Sequence, residues 1–376
     1  MGTMGDTYPK VKLAAAQSAP VYMDREATVE KTCHVIEEAA KNGAKIIGFP
    51  EAHIPGFPQY CYWLPPHETT KLQATLFKNA VAIPSRATDT LCEAARRADA
   101  YVVVGMSEKE PDRLGTLYNT QLFIDRRGEI LGKHRKLVPT LGEKLVYGQG
   151  DGSTLGVYKT DFGGLGALIC GEHNNSLARF ALLTLGEMIH VASWPGKPGE
   201  QYGRLRESMN FAVRHTAYEG KLFVISSTGY FSKEMVDEIC TTDEMRRRYG
   251  TPGGGASVIV GPDRGEILAS AAEDKEETIY AEADIEKILT AKIHHDILGH
   301  YNRFDVLSLN FNQAKLEPLV RTQELSEGSG GRLLPFLSSE KEEKILQKFR
   351  ERGTDARQSL EKLFDVVLEE SSSPLA

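Results

Sequence analysis

The sequence predicts a layered α/β fold, on three observations. Short apolar runs alternate with helix-patterned segments along most of the chain, as strands and helices stacked in layers do. Breaks such as Ser18-Ala19-Pro20 and Gly43 separate them. At 376 residues, with 41% hydrophobic and 26% charged residues, the chain is long enough to bury a sizeable core.

The first strand is read at Val11 to Gln17. Asp24 can cap a helix reaching about Asn42, because Val29, Cys33, Ile36 and Ala40 recur at helical spacing. Gly43 then stands where a left-handed helix terminator belongs. Lys45 to Phe49 reads as a strand ending at Pro50-Glu51, Asp89 to Ala98 as a helix, and the β-branched run from Tyr101 to Gly105 as a buried strand. Gln121 to Leu131 is a hairpin, and a similar string recurs from Val258 to Leu268. The recurrence leaves both an internal duplication and a coincidence of common turn residues open. Gly164 to Cys170 is an apolar strand, and Ser176 to Gly186 reads as a helix.

The composition excludes several functions. A formal charge of −7 with no dense Lys/Arg run leaves no electrostatic footprint for nucleic acid or an acidic membrane. No signal peptide and no membrane span are read, and five scattered cysteines without a C-x-x-C pair suggest neither a disulfide framework nor a metal site. A reducing, cytoplasmic setting with free thiols is expected. The Gly/Ser-rich stretch Ser326 to Gly331 reads as a linker, so the expected organisation is a catalytic domain over 8–315 and a C-terminal extension over 316–376. In that extension Ser339 to Glu370 is charged and helical in pattern.

Chemistry concentrates around Cys170. It ends an apolar strand and precedes the polar turn Gly171-Glu-His-Asn-Asn175. A strand-to-helix turn exposes a side chain and brings helix N-terminal N–H groups near it, which favour thiolate over thiol. Strand placement alone favours a buried structural cysteine. The polar turn has little structural reason to follow one, and it favours a nucleophile. Glu51 by itself reads as an exposed turn carboxylate, and Lys136, within Lys133-His-Arg-Lys136, as part of a solvated face.

Taken together, these segments resemble the nitrilase superfamily. Cys170 to Leu183 with Ile189 to Pro195 is similar to its nucleophile segment. Phe49-Pro-Glu51 to Gly56 resembles the motif carrying the general base. Gly132 to Thr140 resembles the motif carrying a lysine, here Lys136, and Glu143 to Gly152 the stretch with a second glutamate. Gly299 to Leu309 is similar to a C-terminal stretch of true nitrilases. The resemblance implies a four-layer α-β-β-α sandwich with no cofactor or metal, and homo-oligomers built as dimers or spirals. It implies Cys170 as nucleophile, Glu51 as proton acceptor, Lys136 as proton donor and stabiliser of developing negative charge, and Glu143 in support. Candidate pocket residues are Gly171, His173, Trp194 and Pro195. Gly171 departs from the family, where many members carry tryptophan directly after the nucleophile. The expected reaction is hydrolysis of a small-molecule nitrile to acid and ammonia. An amidase or carbamoyl hydrolase with the same machinery, or a non-catalytic binding relative, remains the alternative.

Overall fold

The computed structural model describes residues 5–196, 202–316 and 347. By contacts the chain divides into units of 1–315 and 316–376. The helical pattern read from Ser339 to Glu370 lies outside the described residues, apart from residue 347.

The first unit holds two six-stranded sheets. One contains β1 (Lys10–Gln17), β2 (Ile46–Gly48), β3 (Tyr101–Lys109), β4 (Leu117–Ile124) and β5 (Ile130–Arg135). The other contains β6 (Tyr158–Thr160), β7 (Gly163–Ile169), β8 (Glu187–Trp194), β9 (Phe223–Thr228), β10 (Val258–Val260) and β11 (Ile267–Ser270). The last strand, β12 (Glu277–Asp284), returns to pair antiparallel with β1, giving the orders β12-β1-β2-β3-β4-β5 and β6-β7-β8-β9-β10-β11. Each order runs antiparallel, parallel, parallel, antiparallel, antiparallel. The two similar hairpin strings therefore occupy the same place in each sheet. Their turn glycines, Gly128 and Gly265, both take positive φ, at 81° and 65°, which a side chain would resist.

Strand alternation sorts the core into layers. Leu13, Ala15 and Val103 face Leu165, Ala167, Val191 and Ile225 between the sheets. Ala14, Ala16, Val102 and Val104 turn the other way, onto the helices Arg25–Lys41 and Arg86–Ala98. Val224, Val258 and Val260 pack likewise on the helix Tyr202–Gly220. The result is the expected helix–sheet–sheet–helix sandwich.

Differences from the sequence reading lie mainly at element ends. Asp24 caps the first helix, its carboxylate accepting from the Ala27 N–H at 2.9 Å. The helix read from Asp89 begins three residues earlier, where the Thr88 hydroxyl accepts from the Ser85 N–H at 2.8 Å. The helix read as ending at Gly186 stops at Thr184, and Gly186 has a φ of 89°. The sequence reading passed over the helix Tyr202–Gly220. No helix among the described residues is long and apolar enough to cross a membrane.

Candidate active site

Three strand ends converge. Glu51 lies three residues beyond β2, Lys136 directly follows β5, and Cys170 directly follows β7. Beyond the carboxyl ends of strands is where α/β sheets place ligands. The loop carrying Glu51 is pressed against β3 so closely that a Cβ on Gly105 would stand 2.1 Å from the Pro50 carbonyl oxygen. Glycine at 105 is thus a condition for where Glu51 sits. The Glu51 N–H donates to the Trp194 carbonyl at 3.3 Å, tying this loop to the end of β8.

Lys136 is fully buried, and its Nζ donates to Glu51 Oε1 at 2.8 Å and to Glu143 Oε1 and Oε2 at 3.0 and 2.8 Å. Asn119, on β4, donates to the same Glu51 oxygen at 2.7 Å. Glu143 also accepts from the Tyr62 hydroxyl at 3.3 Å. Glu51 Oε2, by contrast, is buried without a hydrogen-bond partner among the described residues. One oxygen is anchored and the other is available to take a proton.

The electrostatics follow from burial. Desolvation pushes the Glu51 pKa up to about 7, with Lys136 pulling against it and Glu143 adding to it. Burial opposes the charge of Lys136, but Glu51, Cys170 and Glu143 outweigh it and hold its pKa well above the ordinary lysine value. The lysine is therefore a cation at rest that feels the charge of Cys170, and Glu51 is a carboxyl poised near neutrality. If Glu51 must be ionised to accept the thiol proton, kcat/KM should fall as pH drops below about 7, because the carboxyl is then protonated in the free enzyme. A log kcat/KM profile with an acid limb bending near pH 7 is expected. A limb bending near the ordinary glutamate value would remove Glu51 from that role.

Cys170 takes a φ of 51°, a left-handed conformation that side chains resist and that functional turns retain. Here the sequence reading needs correction. The N–H groups beside the cysteine belong to a 3₁₀ turn, Cys170–Asn174, and the α-helix starts only at Ser176, capped by Asn175. The turn is fastened by Glu172, which sequence reasoning did not single out. Its carboxylate accepts from the Ile169 N–H at 2.9 Å and the Leu137 N–H at 2.7 Å, and it pairs with His134 Nε2 at 3.0 Å. Burial raises the Glu172 pKa, yet His134 and the two N–H donors bring it below the usual value. An acidic residue two positions past a strand-end cysteine was the available signal.

The four pocket candidates fall in different places. Gly171 borders a cleft of about 310 Å³, with Leu137, Pro139, Thr140, Leu141 and Lys144 among its walls. His173 does not border it. Its ring is buried and stacks on Trp194 at 4.9 Å between centroids. Trp194 is also buried and serves Glu51 through its carbonyl. Pro195 is buried beside it. A second, small cavity of about 20 Å³ touches Glu51 and is lined also by His53, Phe57, Gln59 and Gly196. Burial pushes the His53 pKa down to about 3, so its ring there is neutral.

Residues 12–292 match the carbon-nitrogen hydrolase family. The chain is 40% identical over 321 residues to a nitrilase of Bacillus sp. (strain OxB-1), covering 85% of this chain and 93% of that protein. It is 41% identical over 315 residues to an aliphatic nitrilase of Rhodococcus rhodochrous, covering 82% and 84%. Its fold is similar to that of a Saccharomyces cerevisiae protein from branch 10 of the nitrilase superfamily. That likeness has a TM-score of 0.61 at 22% identity, over 77% of this chain and 95% of the other.

Proposed function

The chain belongs to the carbon-nitrogen hydrolase family, and from that premise we infer that it is a nitrilase, converting an organic nitrile to its carboxylic acid and ammonia. The similarity to curated nitrilases over most of both chains supports the reaction. The observation that carries the site is the buried Glu51–Lys136–Glu143 cluster beside a strained, strand-end Cys170.

In this reading Glu51 Oε2 takes the Cys170 proton, and the thiolate adds to the nitrile carbon. The nitrogen takes a proton from Lys136, which recovers one from Glu51 across their 2.8 Å contact, leaving a covalent thioimidate. Glu51 next deprotonates a water that adds to the same carbon, and it passes that proton to the nitrogen. The new hydroxyl proton follows it, so that ammonia departs as the tetrahedral centre collapses to a thioester. A second water, deprotonated by Glu51, then adds and expels the Cys170 thiolate, which takes the proton back as the acid is released. Lys136 and the Gly171 N–H oppose the negative charge that builds on nitrogen and then on oxygen. The test is ammonia release from aliphatic, aromatic and arylaliphatic nitriles, each beside its matching amide. Turnover of the amides alone would replace the reading with an amidase.

Gly171 gives this pocket its width. A Cβ there would stand 3.1 Å from Thr140 Oγ1, so a larger side chain would crowd the Thr140 wall of the cleft. Gly171→Trp should cost an α-branched nitrile about tenfold more kcat/KM than a small linear one, the scale of a crowded apolar pocket. Equal losses on both would point to a disturbed turn.

We propose further that the enzyme is a homo-oligomer of a reducing compartment. Phe211 and Tyr218 stand exposed on the helix Tyr202–Gly220, and none of the five cysteines is joined in a disulfide.

A further inference from the structure

A chain of buried groups runs behind the nucleophile and takes no part in the steps above. His173 Nδ1 meets the Cys170 carbonyl oxygen at 2.7 Å, His173 Nε2 meets His190 Nε2 at 2.9 Å, and His190 Nδ1 meets Glu187 Oε1 at 2.7 Å. We propose that His173, held in one tautomer by His190 and Glu187, is a positioning residue that aims the Gly171 N–H at the reacting atom. The proposal rests on the nitrilase reading, because the N–H matters only if charge develops beside it.

The proton count fixes each role. A carbonyl oxygen can only accept, so His173 Nδ1 carries a hydrogen. Burial, followed by the neighbouring His190, holds the His173 pKa well below the ordinary value, so the ring is neutral and its Nε2 accepts. His190 Nε2 must then donate. One hydrogen lies between His190 Nδ1 and the Glu187 carboxyl, and His190 carries another on Nε2. A His190 whose single hydrogen lay on Nδ1 would turn a lone pair on His173.

Sequence features serve this chain. Glu187 and His190 are three residues apart on β8 and would ordinarily face opposite sides. A bulge, where Gly164 pairs with Glu187 and Leu165 with Ile189, brings them to one side. Gly166 makes the room, since a Cβ there would lie 2.0 Å from Glu187 Oε1. Arg179 donates to the His173 carbonyl and pairs with Glu219, and Trp194 stacks on the ring, so His173 has little freedom to move.

The consequence is geometric. In a planar trans peptide the carbonyl and the following N–H point in opposite directions. With the Cys170 oxygen drawn inward by His173, the Gly171 N–H points outward, on the side where Gly171 borders the cleft. As the second residue of its 3₁₀ turn, Gly171 has no carbonyl one turn back to bond. The anchor holds an oxyanion donor ready before substrate arrives.

The test compares His173→Leu, which removes the donor, with His173→Asn, whose amide nitrogen stands where Nδ1 stood. Leu should lower kcat about 100-fold, the scale of one lost oxyanion donor. KM and the rate of Cys170 alkylation by iodoacetamide should stay within about threefold, because neither needs that donor. Asn should restore most of kcat. Equal losses in both variants, or a loss in Leu that follows alkylation, would overturn the proposal. A second arm needs no substrate and no variant. ¹⁵N NMR of the histidine rings in the resting enzyme should find His173 protonated at Nδ1 alone and His190 protonated at Nε2. A proton on His173 Nε2 would overturn the anchor, even if no nitrile were turned over. Wild-type inactivity toward every nitrile, with the NMR pattern intact, would instead count against the nitrilase reading.

Discussion

Cys170→Ala is expected to lower ammonia release by about four orders of magnitude or more, the scale on which enzymes lose a covalent nucleophile. Alanine has neither a proton for Glu51 to take nor a lone pair to add to the nitrile carbon. The fold should be nearly untouched, since Cys170 is only partly buried at the end of β7 and the change costs about 1 kcal/mol or less. The check is ammonia release by purified variant, with circular dichroism and the thermal midpoint as controls. Residual turnover above one per cent in a folded variant would remove Cys170 from the mechanism.

Lys136→Met carries the second large effect, and it strikes stability as well as rate. The ammonium is buried between Glu51 and Glu143. Removing it leaves two buried carboxylates facing each other, at a cost of about 3–5 kcal/mol near pH 8. The penalty should shrink as pH falls, because one carboxyl then takes a proton and the repulsion ends. Turnover should be lost at every pH, since neither a thioimidate nitrogen nor an oxyanion would meet a cation. Urea unfolding at pH 8 and pH 6 measures the first effect, and single-turnover assays the second. A penalty that did not change with pH would mean that Glu51 and Glu143 are not both ionised around the lysine.

The sequence is most legible where a residue's role rests on local pattern. Asp24, Gly43 and the strand ending at Cys170 are each set by neighbours within a few positions, and the structure places them accordingly. Glu51, Lys136 and Glu143 have no such local support. They were named through resemblance to a family, and the structure brings their side chains within hydrogen-bond reach. Partners joined only by the tertiary fold were missed. Asn119 reaches Glu51 from 68 positions away, and it looks like an ordinary polar strand residue. His134 meets Glu172 across 38 positions. Glu187 and His190 share a side only because of a bulge, which periodicity cannot reveal. His173 is a pocket candidate in the sequence, yet the tight turn at Cys170 carries its ring inward. A residue's distance along the chain from a nucleophile does not say which side of the turn it occupies.

The covalent step can be caught directly. Enzyme turning over a nitrile substrate is quenched in acid within the first seconds, and its intact mass and peptide masses are read by mass spectrometry. The expected result is an adduct with the mass of the acyl or imidoyl group on the peptide containing Cys170, absent from Cys170→Ala. Hydrolysis proceeding at full rate with Cys170 unmodified at every quench time, or an adduct on another cysteine, would contradict covalent catalysis by this thiol.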